Sequence, residues 1–352
     1  MKMIRLLNKR QDLILALLEK EKHLSISRLF AEIKTAYGKI SKITVNRDLK
    51  KLIQSNFIVS KGKARSVFYE LSPHYALIKP VDIEKYFEVE TDKRIIKERF
   101  NFEIFPVLKD IFTKEESQRM KELNKKYQKN IRNMPANLLK KEFERLVIEL
   151  SWKSSQIEGN TYSLLETETL IKEKKESKGH TKKEAMMILN HKDALDYIRK
   201  NKNDFKIISR AKIEDVHYFL TKDLNISKGL RKRTVGVIGT KYRPIDNQHQ
   251  IREALEKTCS LINKEKNYFS KALLLSAMIA YIQPFEDGNK RTSRLTADAI
   301  LMAYNSCPLS YRSVDDIEYK KAVILFYEQN NISYFKQLFI EQFEFAVKNY
   351  FR

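Results

Sequence analysis

Eight consecutive residues, Asp287 to Arg294, carry a carboxylate, a glycine, an amide, a lysine and two arginines. That mixture suits a polyphosphate. Asp-Gly-Asn is a turn signal, because Gly288 and Asn289 tolerate left-handed backbone. The turn feeds a new helix, whose first N–H groups are free and whose dipole attracts anions. Arg291 and Arg294 stand three residues apart on that helix, share a face, and can hold two phosphates together. Asp287 can hold a Mg²⁺ ion bridging those phosphates.

Two apolar segments must position this loop. One spans 272–282 and the other 295–304, so the order reads helix, tight polar loop, helix. The stretch 281–294 resembles the Fic motif, His-x-Phe-x-Asp/Glu-Gly-Asn-Gly/Lys-Arg-x-x-Arg. Phe285, Asp287, Gly288, Asn289, Lys290, Arg291 and Arg294 all fit it. The first position departs, with Gln283 where the family has its histidine.

The resemblance implies a protein adenylyltransferase that moves AMP from ATP to a Ser, Thr or Tyr hydroxyl of a protein target, with ATP and Mg²⁺ in the site. Carried across position by position, Asp287 holds the metal. The backbone of Gly288, Asn289 and Lys290 cradles the α-phosphate, with the Asn289 side chain added. Arg291 faces the β-phosphate and Arg294 the γ-phosphate. The family's histidine takes the hydroxyl proton. A glutamine amide has no basicity near neutral pH, so Gln283 can hydrogen-bond the hydroxyl but cannot act as general base. Weak, altered or absent transfer follows. Three readings stay open: a nucleotide binder without transfer, a residual or altered transferase, and a substituted variant of an active enzyme. His191 and His217 sit on helices of the same region and are the histidines that could approach.

Upstream, Ser154-Ser-Gln-Ile-Glu158-Gly159 resembles the inhibitory motif of the same family. The resemblance implies an ion pair between Glu158 and Arg294 that occupies the place of the γ-phosphate. A carboxylate is a reasonable phosphate surrogate for an arginine fork. Residues 230–243 alternate and carry glycines, so they read as a β-hairpin. The resemblance makes that hairpin a flap, with Thr240, Lys241 and Tyr242 pairing against an extended target segment.

Residues 1–75 hold 16 Lys/Arg against 6 Asp/Glu. Helices are expected over 11–20, over 28–37 opened by Ser27, and from Ser41 or Thr44 to about 55. The third has Val45, Leu49, Leu52 and Ile53 as its inner stripe. A hairpin with a basic turn follows. The pattern looks like a winged helix-turn-helix, and Thr44 to Leu52 resembles the recognition helices of DeoR-like regulators. That implies a double-stranded DNA partner, with Thr44, Asn46 and Arg47 reading bases or phosphates and Lys50, Lys61, Lys63 and Arg65 on phosphates.

The expected organisation is mainly α: a winged helix-turn-helix over 1–75, a linker and helical connector over 76–134, and a helical Fic domain with its flap and inhibitory helix over 135–352. Net charge is +23, which favours an acidic partner such as nucleic acid or nucleotide. The longest apolar run has ten residues, too short to span a bilayer, and the basic start at Met1 lacks a signal-peptide pattern. Cys259 and Cys307 are isolated, against a zinc site or disulfide framework and in favour of a cytoplasmic protein. Self-association into a homo-oligomer stays open.

Overall fold

The computed structural model describes residues 7–352, and the side chain of Arg65 lies outside that description, as does the basic start at Met1. The N-terminal unit runs α1 (Lys9–Glu21), β1 (His23–Ser25), α2 (Ile26–Tyr37), α3 (Lys42–Gln54), β2 (Ile58–Lys61) and β3 (Phe68–Leu71). The strands form one antiparallel sheet in the order β1-β3-β2, with Leu24 opposite Tyr69 and Ser60 opposite Tyr69 from the other side. Each helix opens on a side-chain cap: Asn8 with Gln11 as a capping box, Ser25, and Ser41. α2 therefore starts one cap earlier than Ser27, since Ser25 reaches the Arg28 amide at 3.3 Å. Leu15, Leu18, Leu29, Ile33, Val45, Leu49 and Leu52 fill the core between the helices. Ile53 does not join that stripe and is 38% exposed, because Leu49 and Leu52 already occupy the inward face. Asp48 is buried and receives Arg10 Nε at 2.7 Å and Asn8 Nδ2 at 3.0 Å, which locks the start of α1 to α3.

The segment after β3 is packed against the rest of the chain. It contains α4 (Tyr75–Ile78), α5 (Ile83–Glu88), short 3-10 turns at Thr91–Lys93 and Phe102–Val107, and α6 (Lys114–Asn133). Leu77 and Ile78 are buried, Ile332 donates its N–H to Leu77 O at 2.7 Å, and Asn331 Nδ2 donates to the Ala76 and Lys79 carbonyls. Thr113 and Glu116 form a capping box at the start of α6.

The remainder is helical: α7 (Ala136–Ile157), α8 (Leu164–Glu173), α9 (Lys182–Lys200), α10 (Arg210–Thr221), α11 (Gln248–Lys264), α12 (Tyr268–Ile282), α13 (Asn289–Ala303), α14 (Asp316–Gln329) and α15 (Ser333–Asn349). Every residue of α12 from Phe269 on is buried, so it is a central helix wrapped on all sides, which its unbroken apolar run requires. α13 packs along it. The chain is thus mainly helical.

The hairpin expected over 230–243 is absent: no strand among the described residues lies there, and its one pairing is a parallel bridge between Arg243 and Arg99. A two-stranded ribbon is marginal without a layer to cover it. Here Ile238 is 97% exposed, so nothing buries an alternating face. Among the described residues no helix is long and apolar enough to cross a membrane.

Candidate functional site

The loop between α12 and α13 is built by local hydrogen bonds. α12 stops at Gln283, which is left-handed (φ 51°) and returns its N–H to Ile279 O at 3.1 Å. Such backbone is unfavourable for a branched-free L residue by about 1–2 kcal/mol, so other contacts must hold it. Gln283 Nε2 donates to Ala280 O at 2.6 Å and to the Tyr327 hydroxyl at 3.3 Å. Arg231 is buried and clamps the other side: its Nε donates to Gln283 O at 2.6 Å and its N–H to Pro284 O at 3.0 Å. Asn289 then closes the turn, accepting from Phe285 N at 2.9 Å and donating to Phe285 O at 2.8 Å. Its side chain thus shapes the turn with one N–H and its oxygen, and the second N–H of the amide remains for a phosphate cradle.

Gly288 has φ 78°, and a Cβ there would come within 3.1 Å of Thr221 Cγ2. Both conditions call for glycine. The first intrahelical bond of α13 runs from Thr292 N to Gly288 O at 2.9 Å, so the N–H groups of Asn289, Lys290 and Arg291 have no helical carbonyl to reach. His217 of α10 lies flat on Phe285, ring centroids 3.7 Å apart, with Nε2 3.0 Å from Asp287 O. Burial lowers its pKa to about 4, so it is neutral at physiological pH and donates to that carbonyl.

The cations converge on the end of α7. Arg294 is fully buried; its Nε donates to Ser154 Oγ at 2.9 Å, and its Nη2 to Ser154 O at 2.8 Å and Glu158 Oε1 at 2.9 Å. Its guanidinium also stands over the Tyr319 ring at 5.1 Å. Lys290 Nζ reaches the other Glu158 oxygen at 3.3 Å. Burial pushes the Glu158 carboxyl up, but Arg294 and Lys290 outweigh it and hold it below the ordinary carboxylate range. Gly159 follows with φ 95° and returns its N–H to Gln156 O at 2.8 Å, which ends α7 and aims Glu158 inward. Arg291 is buried with little compensation, Asp287 Oδ2 at 3.7 Å and Leu220 O at 3.5 Å, and burial lowers its pKa. A buried guanidinium with so few partners can bind an anion strongly.

Residues 207–301, which contain this loop, match the family model of the Fic/DOC family. The chain carries a Fic/DOC domain. It is 30% identical over 172 residues to the protein adenylyltransferase Fic of Culex quinquefasciatus, covering 47% of this chain and 34% of that protein. It is 26% identical over 110 residues to a probable protein adenylyltransferase of Aquifex aeolicus, covering 31% and 34% of the two. The chain thus spans 34% of the length of these relatives. In fold, it is similar to Fic-1 of C. elegans, with a TM-score of 0.55, 17% identity, and coverage of 66% of this chain and 69% of that one. A Fic domain containing signaling protein from Bacteroides thetaiotaomicron gives a TM-score of 0.54 and 19% identity, covering 65% and 95%.

Within the Fic/DOC domain, Asp287 points outward with its side chain 58% exposed. Among the described residues no group of three or more His, Cys, Asp or Glu is placed to hold a metal. A single exposed carboxylate fits Mg²⁺ that keeps waters and takes its other ligands from phosphate oxygens. The residues of the 230–243 segment scatter. Thr240 Oγ1 accepts from Tyr242 N at 3.0 Å, and Lys241 Nζ donates to Asp92 O at 2.9 Å. Tyr242 is 2% exposed, stacks on Tyr281 and donates to Tyr281 O at 2.8 Å. Its side chain belongs to the core, so only the main chain of Tyr242 is left to face a target segment.

His191 is buried, makes no hydrogen bond through either ring nitrogen, and is held neutral by burial and then by Arg294 and Arg291. Arg231 went unnoticed in the sequence, since Leu-Arg-Lys-Arg gives no sign which arginine turns inward. The α3 residues lie outside the domain: Asn46, Arg47 and Lys50 are exposed, while Thr44 is half-buried with Oγ1 3.0 Å from Ser41 Oγ. Lys61 pairs with Glu70 at 2.5 Å and Lys63 is exposed.

Proposed function

We propose that the chain binds ATP at the Asp287–Arg294 loop and belongs, by descent of that site, to the protein adenylyltransferases. The observation that carries this reading is the Arg294–Glu158 contact at 2.9 Å beside the open amides of α13. A carboxylate occupies the position where a terminal phosphate would neutralise Arg294. Arg291 then serves the β-phosphate, and the amides of Asn289, Lys290 and Arg291 serve the α-phosphate, joined by that of Gly288 when it leaves Asp287 Oδ1. Mg²⁺, when bound, would neutralise phosphate charge at Asp287. Glu158, with Ser154 and Gly159 shaping its approach, acts as an internal inhibitor that must leave before the γ-phosphate can enter.

Gln283 stands where a general base is needed and points its amide at Ala280 O and Tyr327. Transfer of AMP to a Ser, Thr or Tyr hydroxyl is accordingly weak or absent in the chain as it stands. The test is incubation with α-labelled ATP and Mg²⁺ of the parent, of the Gln283→His and Glu158→Gly single variants, and of the two combined. The double variant is expected to label protein about 10²–10⁴ faster than the Glu158→Gly single. Failure of every variant to bind ATP would remove the nucleotide reading.

A second reading concerns the N-terminal unit, as a DNA-binding winged helix attached to the nucleotide site. It is supported by the exposed row Asn46, Arg47, Lys50 on α3, by Lys61 at the end of β2 and by Lys63 in the turn between β2 and β3. Here the Fic/DOC domain would serve as a nucleotide sensor. Two free, buried cysteines suit a cytoplasmic setting for either reading.

A further inference from the structure

The segment joining α5 to the 3-10 turn at Phe102 lies along the 239–243 segment and uses its main-chain groups. Arg94 Nη2 donates to Gly239 O at 2.7 Å. Arg243 N donates to Glu98 O at 2.7 Å, within the parallel bridge between Arg99 and Arg243. Lys241 Nζ donates to Asp92 O at 2.9 Å. The strap is fastened behind by Glu328 of α14, which is fully buried. Arg94 Nη2 reaches Glu328 Oε1 at 3.1 Å, Tyr86 OH donates to Oε2 at 2.7 Å, and Lys97 N donates to Glu328 O at 2.8 Å.

Apolar burial does not hold this contact. Ile95 on the strap is 93% exposed and Ile238 on the loop 97% exposed, and they flank the Arg94–Gly239 bond. The strap is held to this segment by few contacts: one main-chain bond from Arg243 N to Glu98 O, side-chain bonds from Arg94 and Lys241, and the buried Arg94–Glu328 pair behind it. The groups it uses are the ones an extended peptide needs for strand addition at this edge.

We propose that Asp92–Arg99 is the resident occupant of the Gly239–Arg243 edge, and that an extended target segment must displace it. This rests on the adenylyltransferase reading for the identity of the displacing segment, but not for the strap itself. The strap continues into α5 and α4, and α4 is docked on Ile332 and Asn331. Ile238 on the loop side gives an incoming peptide an apolar contact that the strap leaves unused.

The test uses the full chain. Hydrogen exchange at the Arg243 amide is compared in the parent, in Arg94→Ala, and in Arg94→Gln with Glu328→Gln, which removes both buried charges together. Exchange is expected to rise at least about tenfold in the variants while α13 amides stay protected. Unchanged exchange at Arg243 with α13 intact overturns the strap. A cysteine pair at positions 99 and 243, Arg99→Cys with Arg243→Cys, locks it by oxidation. In the Gln283→His, Glu158→Gly background the locked form is expected to bind ATP normally but to label added proteins at least about tenfold less than the reduced form. Equal labelling overturns the competition. Loss of ATP binding in the parent would instead sink the nucleotide reading and leave the exchange result standing.

Discussion

Glu158 and Arg294 lie 136 residues apart in sequence and meet at 2.9 Å, with the guanidinium fully buried. Ser154 holds the same guanidinium through both its hydroxyl and its carbonyl. The Glu158 carboxylate also takes Lys290, so one acidic group joins α7 to the first two turns of α13.

Breaking this pair should destabilise the free protein, since it strands a buried charge. Glu158→Gln is expected to lower stability by up to about 3 kcal/mol, at the low end for buried pairs because the carboxylate keeps some contact with water. ATP with Mg²⁺ should recover more thermal stability in the variant than in the parent, since the phosphate then supplies the missing charge. Thermal unfolding with and without ATP decides it; equal shifts would show that Glu158 and phosphate do not compete. The lowered Glu158 pKa places its stabilising charge above the ordinary carboxylate range and removes it only as pH falls below that range.

Arg231 should matter as much as a motif residue. Its guanidinium donates to Gln283 O at 2.6 Å, to Arg233 O at 2.8 Å and to Ile245 O. Arg231→Met leaves these carbonyls without donors and is expected to cost about 1–3 kcal/mol per stranded group in urea unfolding. It should also weaken ATP binding by loosening the Gln283 turn. A variant as stable as the parent would show that the carbonyls find water instead.

Acid sensitivity follows from His217. Its folded pKa of about 4 lies below the 6.5 of the free side chain, so the unfolded chain binds the extra proton between those values. The stabilisation is fully present above pH 6.5 and is lost as pH falls toward 4, roughly 3 kcal/mol at most. His191, also held neutral, acts in the same direction. Urea midpoints should fall between pH 6.5 and 4.5 in the parent, and His217→Gln should flatten part of that fall. Parallel pH dependence in both proteins would remove His217 as a cause.

The exposed α3 face predicts salt-dependent duplex binding. Arg47→Ala and Lys50→Ala should each reduce the slope of log affinity against log salt by about 1, as expected for one lost phosphate contact. Slopes identical to the parent's would remove this face as the DNA contact.

The sequence by itself determined the helices and the polar loop. Caps at Asn8, Ser41, Thr113 and Thr181, together with apolar runs such as that of α12, are local signals that act within a few residues. Motif spacing likewise put Asp287, Arg291 and Arg294 on one turn and the start of one helix. Tertiary structure decided which groups face what. Tyr242 entered an aromatic core, and 230–243 formed no hairpin, its one bridge running from Arg243 to Arg99. Arg231, His217 and Arg94 gained their partners from segments 14 to 234 residues away. Those contacts arise from packing, which satisfies buried carbonyls and charges wherever the chain brings them together, and no local pattern encodes that.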